Sequence, residues 1–297
     1  MRIGFIGLGV MGLPMSLNLV KAGYQVLGFN RSPEKTALLS RGGGSAASSI
    51  KEVAESCQVI ITMLPDSPDV REVCLGPGGI AESAKPGTLL IDMSSIAPLT
   101  AKEIHGELAK KSIAMIDAPV SGGEPKAING TLSIMCGGAE DDIERARPVL
   151  EKLGSAITRA GEIGAGNLCK LANQLIVAVN IAAVGEALTL SKKAGLDPEV
   201  VCQAIRGGLA GSAVLEAKAP MMLRGDARPG FKIDLHLKDM RNVERTCESL
   251  GCDLVFSKMA FEVLSHLSSH SGLGQADHSA MVRYSEDRSA IKVAKQE

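Results

Sequence analysis

The run from Gly164 to Gly195 divides this chain of 297 residues. Between Asn167 and Val184 no proline or glycine interrupts it, and Leu168, Leu171, Leu175, Ile176, Val179, Ala182 and Ala183 recur at helical spacing. The pattern predicts one long helix, about 42 Å from Asn167 to Ala194 at about 1.5 Å per residue. From Leu175 to Val184 it is apolar almost all round, which predicts burial, and Asn180 argues against a bilayer span. Its first turns carry a polar stripe in which Lys170, Asn173 and Gln174 share one face. A lysine on a buried helix is costly unless paired or used, whereas one near a helix end can reach water; this segment alone leaves both readings open.

Upstream of the divide, short β-rich runs alternate with helical segments. Arg2–Ile6 is an apolar run that breaks at Gly7-Leu8-Gly9-Val10-Met11-Gly12 and is followed by a helical pattern from Met11 to Ala22. In such a GxGxxG turn Gly7 permits the sharp bend, Gly9 lets a pyrophosphate approach the backbone, and Gly12 lets helix and strand pack closely. The second strand, Gln25–Phe29, ends at Asn30-Arg31-Ser32. A carboxylate there would hold a ribose 2′-hydroxyl and repel a 2′-phosphate; Asn30, Arg31 and Ser32 instead favour NADP(H), with NAD(H) still possible. Further strands are expected at Val59–Leu64, Thr88–Met93, Ile113–Ile116, Thr131–Cys136 and Ala156–Arg159, with a helix over Leu99–Lys110. Ser121-Gly122-Gly123 offers a hydroxyl and unobstructed N–H groups suited to a carboxylate, or simply forms a turn.

After Glu162 strand signals nearly vanish. Helices are expected at Pro198–Arg206, Ser212–Leu223, Leu235–Leu250, Leu254–Leu267 and Ala276–Tyr284, and the polar tail from Ser285 is expected to fray. The fold expected is α/β: a Rossmann-type, doubly wound sheet over 1–162, a long interdomain helix, and an all-α domain over 163–297. In that second half Lys238 reads from the residues alone as either a solvated lysine or a ligand-binding one.

Composition removes several classes. Aromatic residues are 2% of the chain with no Trp, so the core must be aliphatic. A net charge of −1 without a basic run argues against nucleic acid. Seven scattered cysteines without CxxC suggest reduced thiols and a cytoplasmic protein, and Met1 running into a strand leaves no room for a leader. No apolar run is expected to reach membrane-spanning length. No metal is expected: His266 and His270 lack an acid to complete a ligand set, and Cys247 and Cys252 read as packed thiols. Neither GxSxG nor a P-loop is present.

The stretches GFIGLGVMGLPMSLNLVKAG, Asp117–Gly123 with Gly130-Thr131-Leu132, Gly166–Asn173 and Lys238-Asp239 together resemble the β-hydroxyacid dehydrogenases, in order and over essentially the whole chain. Gly123–Ile128, Arg206–Ser212 and Phe231–Asp239 resemble one branch of that family, acting on a small aldehyde acid. The resemblance implies that Gly7, Leu8, Gly9, Val10, Met11, Gly12, Met63, Leu64 and Ser95 hold the cofactor and that Phe231 and Lys238 approach it. It implies that Ser121, Gly122 and Gly123, with Asn173, hold the substrate, and that Lys170 is catalytic with Asn173 beside it. Many family members carry a second Asn where this chain has Gln174. Intact Lys170 and Ser121-Gly122-Gly123 argue against a non-catalytic sensor. The apolar helix also suggests a homo-oligomer, dimer or tetramer, formed through the helical domain.

Overall fold

A strand that is apolar on both faces is satisfied only inside a sheet covered on both sides. The computed structural model, which describes residues 1–295, puts β1 (Arg2–Ile6) in that position, between β2 (Gln25–Phe29) and β4 (Val59–Thr62). The other strands are β3 (Ser45–Ala46), β5 (Leu89–Asp92), β6 (Ala114–Asp117), β7 (Val120–Ser121), β8 (Leu132–Gly137) and β9 (Gly154–Gly161). Their order is β3-β2-β1-β4-β5-β6-β8-β7, with β9 on β8. Strands β1 to β6 pair in parallel. At one end β8 runs antiparallel to β6 and β7 while pairing in parallel with β9. Along β1, Ile3 and Phe5 join one aliphatic cluster with Ile61, Ile91 and Ile116, and Ile6 joins the other with Ile60 and Leu90. The period of two thus builds both layers of the core.

The chain resolves into two compact units, Met1–Lys170 and Leu171 onward. The long helix Ala165–Lys193 begins in the first and continues through the second. In the second unit it is joined by helices Pro198–Ile205, Ala213–Arg224, Ile233–Leu250 and Val255–Ser269. The expected helix over Ala276–Tyr284 is split into a 3-10 turn, His278–Met281, and a helix, Val282–Ser289. The helical core gathers Leu171, Ala178, Ile181, Leu188, Met240 and Leu264.

Three expectations are corrected here. Leu175–Val184 is not buried all round within the chain: one stripe is covered, while Ile176 is 65% and, further along, Leu190 71% exposed. The long helix has 29 residues and a window of mean hydropathy 1.5, so by length and composition it could cross a bilayer, as a core helix also could. The tail does not fray at Ser285. Buried Glu286 accepts a hydrogen bond from the Val293 backbone at 2.7 Å, and Val293 joins the core. The last two residues of that tail, Gln296 and Glu297, lie outside the described residues.

Candidate active site

Parallel strands direct their carboxyl ends to one edge of the sheet, where loops can surround a ligand. At the end of β1, Gly7 has φ +99°, a left-handed conformation that only glycine adopts freely. A Cβ on Gly7 would run into the Met63 carbonyl, and one on Gly12 into the Gly7 carbonyl. A Cβ on Gly9 would meet nothing within 4 Å. Leu8 is buried, Met11 half-buried, and Gly9 and Val10 exposed. Open space over bare backbone, at the start of helix Gly12–Lys21, fits a pyrophosphate.

Asn30 braces this turn. Its Oδ1 accepts the Leu8 N–H at 2.9 Å and its Nδ2 donates to the Ser32 carbonyl at 3.2 Å. Arg31 and Ser32 are exposed, and the Arg31 guanidinium stands 3.6 Å from Asp69. An exposed guanidinium with no acid at position 30 fits a 2′-phosphate.

The loops after β4 and β5 are tied to the same edge. Met63 N–H donates to the Ile6 carbonyl at 2.9 Å, and Leu64 N–H to Ser94 Oγ at 2.9 Å. Half-buried Ser95 follows, then Ile96, whose N–H donates to Asn167 Oδ1 at 3.0 Å. Beneath them lies Asp92, fully buried, accepting from Thr62 Oγ1 at 2.8 Å and Ser94 N–H at 3.1 Å, with Oδ2 unsatisfied. Burial pushes its carboxyl up to about 6 against those hydrogen bonds, and the charge of Asp117 adds to the rise.

Asp117, at the end of β6, holds the start of the long helix. It accepts from Gly164 N–H at 2.7 Å, Asn167 N–H at 2.6 Å and Asn167 Nδ2 at 3.2 Å. Burial raises its pKa, and these hydrogen bonds oppose the rise. Gly166 permits the close approach, since a Cβ there would press on the Met135 and Asp117 carbonyls. Lys170 follows three residues after Asn167 and is only 8% exposed. Ser121 pairs with Ser133 on β8, and exposed Gly122 and Gly123 open helix Gly123–Asn129.

The remaining candidates form a second polar cluster, within the helical unit. Gln174, 4% exposed, donates from Nε2 to Asp239 Oδ2 at 2.6 Å and accepts at Oε1 from Asn173 Nδ2 at 2.9 Å. Lys238 pairs with Asp239 Oδ1 at 2.8 Å and is largely buried, so it is no solvated surface lysine. His236 Nε2 lies 3.1 Å from the Gln174 carbonyl, which can only accept, so that nitrogen carries a proton. His236 Nδ1 meets His278 Nδ1 at 3.0 Å, and Phe231 packs against both rings. Asp277 fixes the Phe231 segment by accepting from its N–H at 2.9 Å and from Gly230 N–H at 3.0 Å, while pairing with Lys218 at 2.9 Å. Burial works to raise the Asp277 pKa, but the Lys218 and backbone hydrogen bonds outweigh it and hold the carboxyl at about 2.

The sheet unit therefore brings together Gly7 to Gly12, Asn30, Met63, Leu64, Ser95 and the helix start leading to Lys170; Asn173, Lys238 and Phe231 sit in the second cluster. Asp92, Asp117, Asp239 and Asp277 were given no role by the sequence reading. For Asp92 and Asp117 the available signal is an acid ending an otherwise apolar strand, and for Asp239 an acid on the buried face of an amphipathic helix; Asp277, which caps a 3-10 turn, carries neither.

Two family models match the chain. Residues 2–161 match the NAD-binding domain of 6-phosphogluconate dehydrogenase. Residues 164–285 match the NAD-binding domain of NADP-dependent 3-hydroxyisobutyrate dehydrogenase. The chain is 42% identical to 2-hydroxy-3-oxopropionate reductase of Escherichia coli, covering 95% of this chain and 96% of the relative. The chain belongs to the 3-hydroxyisobutyrate dehydrogenase-like β-hydroxyacid dehydrogenases. Within that family it is also 36% identical to 2-(hydroxymethyl)glutarate dehydrogenase of Eubacterium barkeri, over 99% and 97% of the two chains. A solved 3-hydroxyisobutyrate dehydrogenase of Mycobacterium tuberculosis, with L-serine, aligns at TM-score 0.88 and 32% identity, over 95% of this chain and 98% of that one. The family makes the protein an oxidoreductase of β-hydroxyacid dehydrogenase type with NAD(P)-binding domains.

Proposed function

We propose that the protein reduces tartronate semialdehyde (2-hydroxy-3-oxopropionate) to D-glycerate, using NADPH in preference to NADH. The observation that carries the substrate is the 42% identity, end to end, with the Escherichia coli reductase of that compound. A nicotinamide cofactor bound on the glycine turn would supply the hydride. Lys170 delivers a proton to the carbonyl oxygen as charge develops there, and its neutral amine takes one back in the reverse direction. Its surroundings suit the role: the side chain is buried and stands in the first turns of the long helix. Ser121 and the exposed N–H groups of Gly122 and Gly123 hold the substrate carboxylate. The preference for NADPH rests on Arg31 and Ser32, with no acid at the end of β2 to repel a 2′-phosphate.

The test is steady-state reduction of tartronate semialdehyde with each nicotinamide, beside oxidation of 3-hydroxyisobutyrate. A higher kcat/KM for 3-hydroxyisobutyrate would replace the proposed substrate with the second reading, which the 0.88 alignment to a 3-hydroxyisobutyrate dehydrogenase favours. The reading also includes a cytoplasmic homo-oligomer built through the helical unit, where exposed Ile176, Leu190, Val200, Phe256 and Met259 offer apolar surface for a second copy. Light scattering that returns the mass of one chain would remove the oligomer from it.

A further inference from the structure

The buried carboxylate of Asp239 determines the orientation of two amides in turn. Paired at 2.8 Å with the Lys238 ammonium, it is an acceptor only, so the group that Gln174 turns to it at 2.6 Å must be the amide nitrogen. That places Gln174 Oε1 toward Asn173, and an oxygen there must be met by the Asn173 nitrogen, at 2.9 Å. The Asn173 carbonyl oxygen is thereby turned away from Gln174. Neither amide can flip without setting oxygen against oxygen or nitrogen against nitrogen. The anchor is firm at both ends: Asp239 is 1% exposed, and His236 holds the backbone carbonyl of Gln174.

We propose that Asp239 and Gln174 are positioning residues which, acting in series, make Asn173 present its carbonyl oxygen on the face of the long helix that it shares with Lys170, one turn before it. The group that Asn173 serves is then a donor, an ammonium or a hydroxyl. This deepens the proposed reduction, in which the proton donor is an ammonium and the product an alcohol, and it rests on that reading. It also gives position 174 a reason to be glutamine. An asparagine, shorter by one methylene, would leave the Asp239 carboxylate out of reach from the same backbone.

The experiment compares Gln174→Leu, Gln174→Asn and the double variant Gln174→Asn with Asp239→Glu, each beside Lys170→Ala. Gln174→Leu cuts the tie between the Asn173 amide and Asp239, so kcat falls about 10- to 100-fold, the worth of a hydrogen bond to a charged group. Cofactor Kd, read by fluorescence titration, stays within about twofold, and circular dichroism shows the fold retained. Gln174→Asn falls similarly. The double variant moves the methylene to the other side of the gap and recovers at least about threefold in kcat over Gln174→Asn, which a merely structural role would not give. Gln174→Leu at wild-type kcat beside an inactive Lys170→Ala overturns the inference and leaves the function standing. Failure of the double variant to recover also overturns the relay. An active Lys170→Ala instead removes the functional reading itself.

Discussion

Asp117 grips Asn167 twice, accepting its backbone N–H at 2.6 Å and its side-chain Nδ2 at 3.2 Å. The grip fixes the first turn of the long helix, and Lys170 is carried on the next. A proton donor must be placed to within a fraction of an ångström to work, so a carboxylate that touches no substrate can still govern the rate.

Replacing that carboxylate should therefore cost both stability and turnover. Asp117→Ala leaves the Gly164 and Asn167 N–H groups buried without an acceptor, at about 2–4 kcal/mol in all. Asp117→Asn keeps one acceptor and should cost less. Urea midpoints should rank wild type above Asn above Ala, and kcat should follow the same order. Equal midpoints for wild type and Asp117→Ala would show that the clamp carries no load.

Lys170→Ala removes the proposed proton donor without touching the glycine turn. General acid catalysis is worth about 10²–10⁴-fold, so kcat should fall by that range while cofactor Kd changes little. Single-turnover rates beside a cofactor titration separate the two effects. A variant that turns over normally would falsify the assignment of Lys170.

Arg31 pairs loosely with Asp69 and lies in the open. Arg31→Ala should raise the Kd for NADPH about tenfold and leave that for NADH nearly unchanged, since only the former carries the phosphate that the guanidinium meets. Asp69→Ala should have the opposite sign for NADPH, because it removes a competing acid. Parallel changes for both cofactors would mean that Arg31 lies along shared parts of the dinucleotide.

The local patterns were legible in the sequence and the long-range pairings were not. β1, β2 and the glycine turn could be read because strand, bend and helix are written within a dozen adjacent residues. Asp117 lies 50 residues from Asn167, and Gln174 lies 65 from Asp239, so nothing local announces either bond. The reversal at β8 escaped because a short apolar run carries no direction. Leu175–Val184 was read as wholly buried because composition reports apolar surface, not what covers it. The tail looked frayed because its polar residues hide how Glu286, paired with Arg283 and Lys292, is drawn inward to meet the Val293 backbone.

Asp277 gives a stability signature in acid. Its carboxyl is held at about 2, below its ordinary 3.8, by Lys218 and the backbone, although burial opposes this. A depressed acid stabilises the native state above its unfolded value, and that contribution is lost as pH falls from about 4 to about 2. At about 1.4 kcal/mol per pKa unit it amounts to roughly 2 kcal/mol. Asp277→Asn should lower stability by about that much at pH 7, and the gap to wild type should close by pH 2. A gap that persists undiminished in acid would assign the effect to packing around Phe231.

Asp92 carries the opposite sign. Burial lifts its carboxyl from 3.8 to about 6, past what Ser94 and Thr62 can offset, and one oxygen is left unsatisfied. A raised acid favours the native state while protonated, so its ionisation weakens the fold progressively as pH climbs from about 4 and fully above about 6. Asp92→Asn retains an oxygen for Thr62 and Ser94 and cannot ionise, so it should stabilise the protein at pH 8 by about 1–3 kcal/mol. The gain should shrink towards zero at pH 4, where the native acid is itself neutral. Urea denaturation of both forms at pH 4, 6 and 8 would show the difference opening across that interval; a difference that is constant with pH would mean that Asp92 is not the group whose charge the fold resists.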